Sequence, residues 1–165
     1  MLRELFRFGS AASVADWSAI DDAVMGGVSR SCMRHDPAGH AVFEGIVSLE
    51  HNGGFASVRS RPMDLGVPGA VCYLLEVRGD GKRFKLNLRT DDAFDGTHYQ
   101  SAFEAPAGTW ALVRLPLSDF RPNFRGRDVP GAPPLDPARV RQVGLLIADR
   151  QAGSFALALR SICVE

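Results

Sequence analysis

Two glycine-paired stretches, DDAVMGGVS at residues 21–29 and HNGGFASVR at residues 51–59, decide how this chain is read. Each sets two adjacent glycines beside bulky apolar and charged residues, in a chain that otherwise alternates short strand-like runs with turns. Paired glycines admit positive φ and close backbone approach, so both stretches are expected turns or bulges where strand geometry is broken deliberately.

Outward from the second pair, residues 40–50 read as a strand with Phe43, Gly45, Val47 and Leu49 on its core face, Gly45 making room for a neighbour. Residues 55–61 resume as a strand that puts Phe55, Ser57 and Arg59 on one side and Ala56, Val58 and Ser60 on the other. On this reading Phe55 and Met25 enter the core. Arg59 turns the same way as Phe55 and needs a carboxylate, Asp22 or Asp80. Upstream, residues 5–8 form a first strand, residues 10–17 a connection ending at a core tryptophan, Trp17, and residues 28–33 a strand that turns at 35–39 into the next.

Downstream, residues 70–77 are an almost continuous apolar run, expected to be a central strand covered on both faces. The tight turn Arg78-Gly79-Asp80-Gly81 leads into residues 84–89, where Phe84, Leu86 and Leu88 alternate with Lys85, Asn87 and Arg89, as a half-buried hairpin strand. Further strands are expected at 97–104, 110–115, 143–148 and 154–164, with one helical turn at 117–120 and an irregular loop over 121–134. Asp136 followed by Pro137 is a helix start, and the helix should be short. Many short strands punctuated by glycine and proline, with one or two short helical turns, define an all-β protein: a single domain over residues 1–165 built as an open jelly-roll sandwich, with a barrel as the alternative.

Composition narrows the function classes. At 165 residues the chain can bury a core without disulfide or metal support. Lys+Arg and Asp+Glu are equal at 19 each, which argues against a nucleic-acid partner. Three cysteines, Cys32, Cys72 and Cys163, are odd in number and widely spaced, so they read as small buried hydrophobes in a reducing compartment. No apolar run is long enough for a membrane span, and the N-terminal residues form neither a signal h-region nor a clear transit peptide, so a cytoplasmic, bacterial-type protein is expected.

The motifs DAVMGGVS (22–29), FEG (43–45), NGGFASVR (52–59) and RGDGKRF (78–84), in that order, resemble the complex I intermediate-associated protein family of about thirty kilodaltons. The likeness runs from Trp17 to Ile162 and takes in Trp110, the LPL and DF segments at 115–120 and QAGSF at 151–155. The resemblance implies a galactose-binding-like β-sandwich and a chaperone-like assembly factor without a catalysed reaction, whose partners are respiratory-complex subunits. Without the long N-terminal leader of the eukaryotic members, a free-standing domain is the expectation.

The residues themselves offer binding chemistry and no reaction. Asp21, Asp22, Asn52, Arg59, Arg78, Asp80 and Arg89 are the candidate binding residues; with Lys85 the arginines would form a basic strip at a sheet edge, fit for a carboxylate, phosphate or sugar. Asp21 with Asp22, and Asp91 with Asp92 and Asp95, are oxygen-rich, but neither cluster has calcium-loop spacing, and turn capping is the simpler reading. The four histidines show no metal-ligand spacing, no serine sits in a nucleophile elbow, and Gly79-x-Gly81 is no dinucleotide fingerprint, so no catalytic residue, metal or cofactor is assigned. Core burial is the expected role of Trp110 as well as Trp17. Two functions follow: a non-enzymatic protein-binding module, or a domain binding a sugar or a small anionic ligand.

Overall fold

A computed structural model of the chain describes residues 2–91 and 96–165, with only the backbone described at Val24 and Met25. Asp92 and Asp95 of the acidic loop, and the side chain of Met25, therefore lie outside the described residues. The strands, in chain order, are β1 (Arg3–Arg7), β2 (Trp17–Ala19), β3 (Arg30–Asp36), β4 (His40–Val47), β5 (Ala56–Ser60), β6 (Cys72–Arg78), β7 (Arg83–Arg89), β8 (His98–Glu104), β9 (Ala111–Pro116), β10 (Arg121–Phe124), β11 (Arg127–Asp128), β12 (Gln142–Ile147) and β13 (Gly153–Val164). They form two antiparallel sheets. The first runs β3-β4-β13-β6-β9, with β1 also paired to β13; the second runs β11-β10-β8-β7-β12-β5-β2.

Period-two alternation explains the sandwich, because each strand turns every second side chain into the space between the sheets. Phe43, Val47, Tyr73, Leu75, Val77, Leu157 and Leu159 of the first sheet face Val58, Phe84, Leu86, Leu88, Val143, Leu145 and Ile147 of the second in one buried core. Strand β13 is twelve residues long and shifts register between Leu159 and Ser161, which lets Ile162 and Val164 also turn inward. Trp17 is buried against Phe6 and Phe8, with ring centroids 5.2 and 5.8 Å away.

The structure departs from the sequence reading at several points. Residues 78–81 do not close a hairpin: β6 belongs to the first sheet and β7 to the second, so this turn crosses the sandwich. It is pinned there by Gly79 N and Gly81 N donating to the Pro106 and Ala105 carbonyls, both at 2.9 Å. Residues 121–134 contain β10 and β11, which extend the second sheet. Short 3-10 turns of three or four residues number five among the described residues, more than the one or two expected, and each closes a connection. Phe55 precedes β5 and is half-buried; the inward residues of β5 are Ala56, Val58 and Ser60. Trp110 lies half-buried on the outer face of the first sheet, where the Arg160 guanidinium covers its ring at 3.9 Å and His40 meets its edge at 5.2 Å. Cys72 and Cys163 are buried beside Leu74 as expected, whereas Cys32 is exposed on the edge strand β3.

Candidate functional site: a carboxylate brace and an amide-rich face

The two glycine pairs wrap one carboxylate. Asp22 is fully buried, and its Oδ1 accepts from Ser29 N at 2.8 Å while Oδ2 accepts from Ser29 Oγ at 2.5 Å, Gly54 N at 2.8 Å and Phe55 N at 3.4 Å. Each pair divides its labour. Gly26 (φ 87) and Gly54 (φ 137) take backbone conformations that side chains disfavour. Gly27 and Gly53 make room instead, since a Cβ on either would lie 2.5 Å from an Asp22 carboxylate oxygen. His51 and Asn52, at φ 55 and 60, set up the left-handed turn that aims Gly54 N at Asp22. These stretches are therefore loops moulded around a charge, and not bulges in a strand.

Asp21 does a related job one residue earlier. Strand β2 pairs with β5 through Ala19, Ile20 N donates to the Ser57 carbonyl at 2.8 Å, and Ser57 N then donates to Asp21 Oδ1 at 3.0 Å, so the side chain continues the ladder past the end of β2. The other oxygen of the same carboxylate accepts from Ser31 N on β3 at 3.0 Å, tying the edge of the first sheet to the second. Asp80 repeats the device at the crossing turn, where Oδ1 accepts from Lys82 N at 3.1 Å and Oδ2 from Ala156 N on β13 at 2.9 Å. The three aspartates are surrogates for strand backbone.

Burial alone raises the Asp22 carboxyl pKa, but the hydrogen bonds from Ser29, Gly54 and Phe55 outweigh it and leave the group below its ordinary value. A carboxylate so fully engaged has little capacity left for a metal, and no group of three His, Cys, Asp or Glu side chains among the described residues is arranged to hold one.

The expected basic strip is divided by the sandwich. Arg78 stands on the first sheet, its guanidinium 5.0 Å from the Trp110 ring, while Arg59, Lys85 and Arg89 stand on the second. Neither Asp22 nor Asp80 counts Arg59 among its hydrogen-bond partners within the described residues, so the anticipated buckle is not formed. Both carboxylates are taken up by backbone and hydroxyl donors, and alternation from inward-facing Val58 puts Arg59 on the outer face of β5. Asn52 is exposed at the brace. Arg89 Nη1 donates to the Gly96 carbonyl at 3.1 Å.

The outer face of the second sheet gathers what sequence reading had scattered. Strand register aligns Arg121, Gln100, Asn87, Gly144, Arg59 and Ser18 in one row across six strands. Lys85, Leu146 and Ser57 form the row on one side, while Asn123, His98, Arg89 and Gln142 flank it on the other. Gln100 Nε2 lies 3.2 Å from both Asn87 Oδ1 and His98 Nε2. Burial, with the positive charges of Arg89, Arg59 and Lys85, lowers the His98 pKa to about 4, so this imidazole is neutral at physiological pH. The polar half of β7 was legible in its alternation; the parts played by Gly144, Gln100 and His98 depend on pairing between strands distant in sequence.

Comparison with solved structures gives the class first. The chain is similar to a family 11 carbohydrate-binding module from Clostridium thermocellum in complex with a β-1,3-1,4-mixed-linked tetrasaccharide, at a TM-score of 0.73 and 14% identity, covering 99% of this chain and 94% of that one. The fold is thus a galactose-binding-like jelly-roll sandwich. The profile of the complex I intermediate-associated protein 30 family matches residues 6–159, and the chain belongs to that family. It is 25% identical to the mitochondrial complex I intermediate-associated protein 30 of Drosophila melanogaster, over 98% of this chain and 62% of the relative's length. It is 28% identical to an uncharacterised protein of Schizosaccharomyces pombe, over 89% of this chain and 76% of the relative.

Proposed function

We propose that the chain is a non-enzymatic protein-binding module that holds partly built multiprotein assemblies, those of respiratory complex I first among them. The observation that carries this reading is the family match over residues 6–159, which takes in nearly the whole sandwich. The brace supports it. Asp22 and the glycines around it, which mark the resemblance in sequence, are used internally to stiffen a scaffold, and their carboxylate is engaged by hydrogen-bond donors instead of facing a substrate. The free thiols of Cys32, Cys72 and Cys163 support work in a reducing compartment, the cytoplasm in our reading. Affinity capture of the tagged chain from its native cells tests the proposal, with the Asp22→Ala variant as a destabilised control. Respiratory-complex subunits recovered with wild type and depleted with the control are expected; capture in which no such subunit is enriched would overturn the reading.

A second reading, a domain for a sugar or other small ligand, is supported by the amide-rich outer face of the second sheet and by the fold's likeness to a module whose structure holds a tetrasaccharide.

A further inference from the structure

Gly144 is the one position without a side chain in the row across the second sheet. A Cβ there would lie 3.1 Å from the Val58 carbonyl oxygen, 3.3 Å from Arg59 Cβ and 3.7 Å from Asn87 Cβ, so the glycine leaves a shallow floor walled by the stems of Arg59 and Asn87. With strands about 4.8 Å apart, the run from Gln100 to Arg59 spans roughly 14 Å. Along it the half-buried amides of Gln100 and Asn87 share one hydrogen bond, and among the described residues Asn87 Nδ2 donates to no acceptor and Gln100 Oε1 accepts from no donor. An amide carries two donors and two lone pairs, so this pair still presents a donor and an acceptor side by side.

We propose that the row Gln100, Asn87, Gly144 and Arg59 on the outer face of the second sheet is a binding site for a neutral oligosaccharide. The inference rests on the second reading above and gives it a location. Adjacent sugar hydroxyls are both donors and acceptors, which matches paired planar amides. The neutral His98 ring, in the flanking row, holds the Gln100 amide at 3.2 Å, and Leu146 and the bare Gly144 floor give the sugar's C–H faces an apolar surface. A docking peptide strand needs an open sheet edge, and this row lies in mid-sheet, where β7 and β12 are hydrogen-bonded on both sides.

Isothermal titration and amide chemical-shift mapping with mixed-linked β-glucan, cellulose and agarose oligosaccharides test this. Wild type should bind at least one of them, with shifts centred on Asn87, Gln100 and Gly144. Asn87→Ala and Gln100→Ala should each weaken binding by roughly five- to tenfold, the loss of one or two hydrogen bonds, while keeping the wild-type melting curve. Binding by wild type that is unchanged in both variants and shifts residues elsewhere, around Trp110 for example, would overturn the site and leave the sugar reading standing. No binding of any of the three sugars by wild type would overturn both.

Discussion

Replacing Asp22 with alanine removes an acceptor that serves three close donors and one longer contact. Ser29 Oγ keeps a second acceptor, the Ser48 carbonyl at 3.2 Å, but Ser29 N and Gly54 N lose the partner that orients both loops. A buried donor left unsatisfied costs about 1–3 kcal/mol, so two of them cost about 4 kcal/mol together. In a domain of this size that lowers Tm by roughly 8–16 °C. Asp22→Asn should fall in the same range, because its amide nitrogen must face a backbone N–H in one of the two oxygen positions. The pH dependence has a definite sign: the folded pKa of Asp22 is depressed, so its stabilisation is complete above the unfolded value of 3.8 and is lost as pH falls through the lower folded value. Thermal melting followed by circular dichroism at pH 7, with urea titrations from pH 5 downward, measures both. A Tm within about 2 °C of wild type for Asp22→Ala, or a gap between wild type and Asp22→Asn that does not narrow in acid, would refute the brace.

Two further expectations follow from the same geometry. Gly27→Ala drives a methyl to within 2.5 Å of an Asp22 oxygen that cannot retreat, so it should cost about 1–3 kcal/mol by overpacking and lower the urea midpoint; Gly81→Ala, at φ 85 in open space, should cost only the roughly 1 kcal/mol of a left-handed residue. His98 titrates near 4 when folded and 6.5 when unfolded, so its contribution is fully present above pH 6.5 and fades as pH falls toward 4. The loss approaches about 3 kcal/mol. Imidazole NMR shifts of His98 should stay flat from pH 8 to pH 5.5, and a midpoint near 6.5 would contradict its burial.

Much of the molecule was legible one strand at a time. Alternation in residues 84–89 predicted the inward Phe84, Leu86 and Leu88, all now buried, and the strand expected at 154–164 is β13. The continuous apolar run before Arg78 became β6, with Tyr73 and Leu75 buried inside the sandwich and Cys72 and Leu74 buried on its outer side. The glycine pairs were correctly read as places where strand geometry ends. Their common purpose was not legible, because it depends on a carboxylate that reaches Gly54, 32 residues further along the chain.

The errors share one physical cause. The sequence of Arg78-Gly79-Asp80-Gly81 describes a tight turn, and a tight turn serves equally to reverse a strand within one sheet or to carry it to the facing one; local φ and ψ do not distinguish these, and only pairing with β13 and β9 does. Alternation grouped Arg59 with Ser57 correctly, but the core-facing side was read from Phe55, which lies outside the strand and is only half-buried; Ala56, Val58 and Ser60 are the inward set, so Arg59 faces out. Periodicity, glycine placement and ordered motifs, all local properties of the chain, determined by themselves that this is a β-sandwich and which family it resembles. Tertiary pairing alone decided that Asp21, Asp22 and Asp80 act as backbone in place of backbone, and that Gln100, Asn87, Gly144 and Arg59, drawn from four separate strands, meet in one row, because neighbours across a sheet are set by long-range register that local sequence does not encode.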